Sequence, residues 1–204
     1  MDIYKNRESA SLAAAEQIAQ TLQQVVSRQG SSSLAVSGGL TPMRCLTLLG
    51  QQSLPWPQIG ITLTDERDAP LGHCDRNETM LRDTLLDNPE VDRRFIRLDD
   101  PALTDLLPLT CALVGMGEDG HFASIFADSP QLDVALTSTN TIEHVGSRSH
   151  AYTRVTLTLH ALQATDLILL LVFGEEKRLR LEKPAGYPIE HLLALPKVEV
   201  IWAP

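Results

Sequence analysis

His121 lies in the glycine-rich segment GMGEDGH, residues 115–121, which directly follows a short apolar run. A glycine-turned loop that presents a histidine at a strand end suits acid–base catalysis, because imidazole titrates near neutral pH. Glu118 and Asp119 could orient the ring or the loop. The segment also matches the GxGxxG pattern of dinucleotide sites, but no clear strand ending in an acidic residue follows about 20 residues later. Proton transfer by His121 is therefore favoured, and a histidine that caps or packs on its own helix remains the alternative.

A second segment of chemical interest is SGGLTP, residues 37–42. A predicted strand ends here, two glycines turn the chain, and a helix is predicted to begin with Thr41 as its N-cap and Pro42 in its first turn. The backbone N–H groups of such a turn can face an anion such as phosphate. The alternative is an ordinary tight turn between a strand and a helix.

The third segment is DERDAP, residues 65–70, in which acidic residues surround a single arginine. Arg67 could bind a phosphate or carboxylate through two parallel hydrogen bonds. The alternative is an exposed Asp/Arg pair that contributes little to stability. His73 and Cys74 lie beside Asp75, but their spacing matches no common metal site.

The sequence lacks the local motifs of several other chemistries. It contains no GxSxG, HExxH, P-loop or EF-hand pattern. The cysteines Cys45, Cys74 and Cys111 are odd in number and widely spaced, which argues against a disulfide scaffold and a thiolate zinc site. We expect them to be buried free thiols.

Composition and charge narrow the class of protein further. The 204 residues are 43% hydrophobic and 21% charged, which fits one domain spanning residues 1–204. The net charge of −9, without a block of Lys and Arg, argues against nucleic-acid and anionic-membrane partners but leaves a small anionic ligand open. The N-terminus has no apolar signal core and no apolar run is long enough for a membrane span, so a cytoplasmic location is expected.

Helical and strand patterns alternate along the chain, which predicts an α/β fold with a mainly parallel sheet. Ligands of such sheets bind beyond the carboxyl ends of the strands, where these segments lie. Predicted strands are Ser33–Ser37, Ile61–Asp65, Arg94–Leu98, Cys111–Gly115, Arg154–Leu159, Asp166–Phe173 and Val198–Ala203. Predicted helices are Ser9–Gln29, Thr41–Gly50, Asp75–Leu86, Pro101–Leu107, His121–Phe126, Glu175–Lys183 and Ile189–Leu195, with loops or a short strand pair at 127–152.

Five segments in order, SGGLTP, DERDAP with Asn77, GMGEDGHFASIF, RVTLTL and VFGEEK, resemble the 6-phosphogluconolactonase family. The resemblance spans about Ser37 to Lys177. It implies a three-layer α/β/α Rossmann-like fold, shared with glucosamine-6-phosphate deaminases and some sugar-phosphate isomerases. It also implies hydrolysis of 6-phospho-D-glucono-1,5-lactone to 6-phospho-D-gluconate in the oxidative pentose phosphate pathway, with a sugar phosphate as the small-molecule partner and neither a metal nor an organic cofactor.

The resemblance also implies roles for single residues. His121 would be the general base that takes a proton from the attacking water and then helps to protonate the leaving ring oxygen. Backbone N–H groups around Gly115–Gly117 would stabilise the oxyanion, and Glu118 or Asp119 would orient the loop or the histidine. Asp65 would orient a sugar hydroxyl or Arg67. The implied substrate- and phosphate-binding residues are Ser37, Gly38, Gly39, Thr41, Asp65, Arg67, Gly117, Arg154 and Lys177.

Two alternatives keep the fold and change the function. A sugar-phosphate deaminase or isomerase would carry an asparagine-glutamate-proline element after the histidine, where this chain has Phe122–Phe126. A non-catalytic sugar-phosphate sensor would not need His121. A nicotinamide oxidoreductase is a more distant alternative, and the sequence indicates no oligomeric state.

Overall fold

The computed structural model describes residues 1–204, which form nine strands and eight α-helices. The strands are β1 (Asp2–Ile3), β2 (Ser32–Val36), β3 (Ile59–Leu63), β4 (Asp65–Arg67), β5 (Cys111–Val114), β6 (Ile142–Val145), β7 (Arg154–Leu157), β8 (Leu167–Phe173) and β9 (Val198–Ala203). The helices are α1 (Arg7–Gln29), α2 (Leu40–Gly50), α3 (Asn77–Arg82), α4 (Pro89–Asp92), α5 (Leu132–Thr137), α6 (Leu159–Gln163), α7 (Glu175–Glu182) and α8 (Ile189–Leu193). Three short 3-10 helices lie at Trp56–Gln58, Leu85–Asp87 and Pro101–Leu106.

Six strands form one parallel sheet in the order β1-β9-β8-β5-β2-β3. Every residue of β2, β3 and β5 is buried, as is typical of parallel strands covered on both faces. Helix α1 packs against α2 and against the central strands, with an apolar stripe that includes Ile18 and Leu22. The structure confirms the predicted α/β fold with a mainly parallel sheet flanked by helices.

The strand order places a topological switch point in the middle of this sheet. From β2 the chain goes to β3 on one side, whereas β5, β8 and β9 lie on the other side. Ligands of open α/β sheets bind where the strand order reverses, outside the carboxyl ends of the strands. In this chain the position lies between Ser37, which follows β2, and Gly115, which follows β5.

The segment DER, predicted as the end of a strand, is instead strand β4 of a second, antiparallel sheet with the order β4-β7-β6. Arg67 lies opposite Arg154, and Asp65 lies opposite Thr156. Because successive side chains of a strand point to opposite faces, Asp65 and Arg67 share one face and Glu66 lies on the other.

Two elements predicted between residues 94 and 126 are wrong. The predicted helix at 121–126 is an irregular turn, because Gly120 at φ 76° and Ala123 at φ 46° leave the helical region of backbone space. The predicted strand at 94–98 makes only an isolated bridge, between Ile61 and Phe95. Without a helix after the GxGxxG segment, the dinucleotide arrangement is not formed.

Other differences concern local boundaries. The helix predicted from Asp75 to Leu86 is reduced to α3 and a 3-10 turn. The region 127–152 contains α5 as well as β6, and α6 was not predicted. All three cysteines are free, but Cys74 is exposed rather than buried. No helix combines the length and the apolar character needed to cross a bilayer.

Candidate active site

A cleft of about 720 Å³ lies over the carboxyl ends of β2, β5 and β8. All the predicted site residues line it except Asp119, which lies behind His121. The lining residues from the predicted set are Ser37, Gly38, Gly39, Thr41, Asp65, Arg67, Gly117, Glu118, His121, Arg154 and Lys177.

His121 and Asp119 form a hydrogen-bonded pair, with 2.5 Å between the histidine Nδ1 and the carboxylate Oδ1. Burial alone would raise the pKa of Asp119, but the hydrogen bond and the charge of His121 outweigh it and lower the pKa to about 2. Asp119 is therefore ionised at neutral pH and can only accept a hydrogen bond. It follows that Nδ1 of His121 carries the proton, which leaves the Nε2 lone pair free to act as a base. Glu118 lines the cleft but makes no hydrogen bond to His121.

Two glycines allow this loop to approach the imidazole and α8 closely. A Cβ at Gly117 would overlap the His121 ring. Gly120 has φ 76°, and its carbonyl accepts a 2.9 Å hydrogen bond from the N–H of Ile189 in α8. The histidine loop is therefore anchored to α8.

The backbone N–H groups at 115–117 differ in their availability to a substrate. The N–H of Gly117 donates to the carbonyl of His121 at 2.9 Å. It is therefore not free to bind an oxyanion, which differs from the expectation for residues 115–117. The N–H of Gly115 makes a long contact of 3.4 Å to Ser37 Oγ. The N–H of Met116 has no acceptor within the protein, and Met116 lines the cleft. Among residues 115–117, only Met116 therefore has a backbone N–H without an acceptor in the protein.

A buried hydrogen-bond network joins the loops beneath the cleft. The hydroxyls of Ser37 and Thr64 are 2.8 Å apart, and Thr64 donates to Asp65 Oδ1 at 3.1 Å. Ser124 donates to the other carboxylate oxygen, Asp65 Oδ2, at 2.5 Å. Arg154 lies 3.9 Å from the same oxygen. Asp65 therefore forms a long ion pair with Arg154 and makes no ion pair with Arg67, so of its two predicted partners a sugar hydroxyl stays a prediction.

Arg67 and Arg154 project from directly opposite positions of β4 and β7. Arg67 donates to the carbonyl of Asp75 at 2.6 Å and forms no ion pair with a carboxylate, while Nε of the buried Arg154 has no partner. Burial lowers the pKa of Arg154; the carboxylate of Asp65 opposes this shift, and the charge of Arg67 adds to it. Like charges opposite each other are unfavourable in a sheet, and an anion between the two guanidinium groups would offset their repulsion.

The turn after β2 presents unpaired N–H groups to the cleft. Helix α2 begins at Leu40, with Gly39 rather than the predicted Thr41 as its N-cap, and no side chain caps it. Gly39 has φ 89°, and a Cβ at Gly38 would overlap the side chain of Asn77. The N–H groups of Gly38 and Gly39 donate to no protein acceptor. Such an uncapped N-terminus attracts phosphate through its N–H groups and the helix dipole.

Lys177 adds a further positive charge to the same cleft. It lies in the first turn of α7, which follows β8, and forms no ion pair. Burial lowers the pKa of its ammonium group, and the nearby carboxylate of Glu118 opposes this shift. The cleft therefore combines one histidine base with several cationic and N–H donors.

Sequence reasoning missed the part of the cleft that α1 and α2 supply. Arg7 lies 5.6 Å from the ring centroid of Phe173, and Arg44 pairs with Glu8 at 2.6 Å. The hydroxyl of Ser11 is buried without a partner. These residues lie outside every recognisable motif, so only the packing of the helices brings them to the cleft.

Two groups of side chains have donor atoms close enough to share a metal ion, within 4.8 Å of one another. One is the exposed trio His73, Cys74 and Asp75, and the other is Asp119 with His121 and His150. In the second group, Asp119 and His121 already satisfy each other by a hydrogen bond.

The amino-acid sequence is similar to those of known sugar-phosphate enzymes. The model of the family described as glucosamine-6-phosphate isomerases/6-phosphogluconolactonase matches residues 5–107 and 102–197. A 6-phosphogluconolactonase of Mesorhizobium japonicum is 33% identical over 223 aligned residues, which cover 98% of this chain and 94% of that protein. A 6-phosphogluconolactonase of Neisseria meningitidis is 32% identical and covers 93% of this chain and 92% of its own length.

The fold is also similar to those of solved structures. A crystal structure of a 6-phosphogluconolactonase from Shewanella baltica superposes with a TM-score of 0.93 at 29% identity, covering 100% of this chain and 97% of that one. A monomeric glucosamine-6-phosphate deaminase superposes with a TM-score of 0.80 at 18% identity, covering 100% of this chain and 97% of its own, which shows a shared fold alone.

Proposed function

The chain belongs to the family of glucosamine-6-phosphate isomerases and 6-phosphogluconolactonases, and we propose that it hydrolyses 6-phospho-D-glucono-1,5-lactone to 6-phospho-D-gluconate. Besides family membership, one observation on this chain supports the proposal. A histidine with a free Nε2 shares a cleft with an arginine pair, a lysine and the uncapped N-terminus of a helix. This combination suits an ester carbonyl at one end of a ligand and a phosphate at the other.

In the proposed reaction His121 Nε2 takes a proton from a water molecule as the water oxygen bonds to the lactone carbonyl carbon. The imidazolium that forms is stabilised by the Asp119 carboxylate at Nδ1. The N–H of Met116 donates to the carbonyl oxygen as it becomes an oxyanion. Collapse of this intermediate breaks the bond to the ring oxygen, which receives the proton back from His121. The product acid then releases its own proton to solvent.

The phosphate end is proposed to lie on the turn formed by Ser37, Gly38 and Gly39, near Thr41. Lys177 and the Arg67–Arg154 pair supply positive charge, and the free N–H groups of the turn donate hydrogen bonds. Ser37 Oγ is used by the buried network, so its contribution is to hold the turn in place. Because a phosphate is bound in substrate and transition state alike, these groups act mainly on affinity.

We also propose that residues 1–204 form a single domain and that the protein is located in the cytoplasm. The substrate is a charged sugar phosphate, which is expected inside the cell. The net charge of −9 supports a small-molecule partner rather than a nucleic acid.

The direct test is an assay of the purified chain on lactone generated with glucose-6-phosphate dehydrogenase. Lactone is expected to disappear well above its spontaneous rate in the presence of the chain. Release of ammonia from glucosamine 6-phosphate would instead indicate the deaminase alternative. Binding of sugar phosphate without turnover of any substrate would indicate the sensor.

A further inference from the structure

His150 belongs to a cluster of three rings beside the cleft, together with His121 and Phe126. The Phe126 ring centroid lies 4.5 Å from that of His121 and 4.5 Å from that of His150, against which it stacks. The two imidazoles meet edge to face, with 5.3 Å between their centroids. Phe126 is fully buried, so one of the two rings that contact His121 is fixed by the core, whereas His150 is half-buried.

The segment between β6 and β7 fixes the orientation of His150. The Ser147 hydroxyl donates its hydrogen to Asp128 Oδ1 at 2.8 Å, so it accepts at its 3.1 Å contact with His150 Nδ1. His150 therefore carries a proton on Nδ1. The backbone N–H of Ser149 donates to Asp128 Oδ2 at 2.9 Å, which ties the segment together.

We propose that His150 is a positioning residue for the general base: with Phe126, it holds the His121 imidazole against Asp119, so that Nε2 faces the lactone carbonyl. This inference rests on the proposed lactonase function. His150 and Phe126 do not line the cleft, so they act through His121 rather than on the substrate. A displacement of a catalytic group by about 1 Å is enough to lower a rate up to about 100-fold.

This role requires a neutral ring at position 150. His121 gains a positive charge during turnover, and a second cation in contact with it would oppose that step. Burial lowers the pKa of His150, and the charge of His121 lowers it further. Four charged groups face His150. The cations His121 and Arg154 lower its pKa, and the carboxylates Asp119 and Asp128 raise it.

The test compares His150→Ala, which removes the ring, with His150→Phe, which keeps a ring against Phe126. The first variant is expected to lower kcat about 10-fold with KM unchanged, and the second to restore most of kcat. The matched control is His144→Ala, an exposed histidine on β6 of the same hairpin, with wild-type kcat expected. Should His150→Ala not fold, His150→Gln takes its place with the same expectation.

A second readout needs no turnover and separates this inference from the lactonase assignment. The Nδ1 proton of His121 in its bond to Asp119 is followed by NMR as a downfield resonance of the wild-type protein. The resonance is expected to weaken or shift upfield in His150→Ala and to persist in His150→Phe. An unchanged resonance in His150→Ala would overturn the inference, whether or not kcat falls. A rise in KM alone, or a failure of His150→Phe to restore kcat, would overturn it as well.

Discussion

Arg67 and Arg154 are cross-strand partners, directly opposite each other on β4 and β7. Asp65, two residues before Arg67 on the same face of β4, lies 3.9 Å from Arg154. One carboxylate therefore compensates only part of the charge of two guanidinium groups. The two guanidinium groups repel each other, and the proposed phosphate dianion would offset this repulsion.

Arg67→Gln is expected to raise KM about 10-fold or more while kcat changes little, because phosphate binding is nearly the same in ground and transition states. Steady-state kinetics on the lactone measure both constants. Arg148→Gln, an exposed arginine on the segment before β7, is the matched control and is expected to behave as wild type. A fall in kcat without a change in KM would show that Arg67 does more than bind phosphate.

Lys177→Met tests the other cation of the cleft. It removes the charge and keeps the length of the side chain, so KM is expected to rise about 10-fold. The rise is expected to shrink at high ionic strength, where the attraction between charges is screened. Lys183→Met, at the exposed C-terminal end of α7, is the control. Equal effects of the two substitutions would mean that net charge, not a contact in the cleft, governs affinity.

Asp119→Asn is expected to lower kcat about 100-fold or more with KM unchanged, because an amide can donate to Nδ1 and so stabilise the wrong tautomer of His121. The measurement is kcat at neutral pH, with circular dichroism to confirm the fold. Glu118→Gln, at the neighbouring acidic position, tests which acid orients the histidine. Only the Asp119 substitution is expected to have the large effect on kcat, and the reverse order would contradict the geometry.

The low pKa of Asp119 has a consequence for acid stability. Its pKa is about 2 in the folded chain against an ordinary 3.8, so the ionised form is favoured by folding. The resulting stabilisation is complete above about pH 4 and is lost as the pH falls towards about 2. Denaturant unfolding at several pH values is expected to show the wild-type advantage over Asp119→Asn disappearing in this window. An advantage that stays unchanged between about pH 4 and about pH 2 would contradict the lowered pKa of Asp119.

Gly117→Ala introduces a Cβ that overlaps the His121 ring. Since the loop is anchored to α8, the imidazole must shift, and kcat is expected to fall about 10-fold or more. Gly146→Ala, where the nearest neighbour of a Cβ is a flexible side-chain atom at 3.9 Å, is the control for substitution of a glycine. A Gly117→Ala enzyme with wild-type kcat would show that the imidazole has room to adjust.

The sequence predicted the parts of the site that directly follow parallel strands. Ser37, His121 and Lys177 each come after an apolar run, and the carboxyl ends of parallel strands share one edge of a sheet. The sequence did not predict that residues 65–67 form strand β4. The residues DER have no apolar alternation, and they form a strand only because Arg154–Leu157, far along the chain, pairs with them.

Other features also depended on contacts distant in sequence. Ala123 adopts φ 46°, and its neighbour Ser124 donates to Asp65, a residue that no local pattern links to it. Arg7 precedes every motif and reaches the cleft because α1 packs over the sheet. Local patterns therefore located the histidine loop, whereas the partners of its side chains required the tertiary structure.

The most direct test of His121 as the general base is kcat of His121→Gln for the lactone, measured beside wild type at neutral pH with the spontaneous rate subtracted. The expected result is a fall in kcat of about 10²- to 10⁴-fold with the affinity for 6-phosphogluconate retained. A His121→Gln enzyme that keeps a near wild-type kcat would contradict the assignment of His121 as the general base.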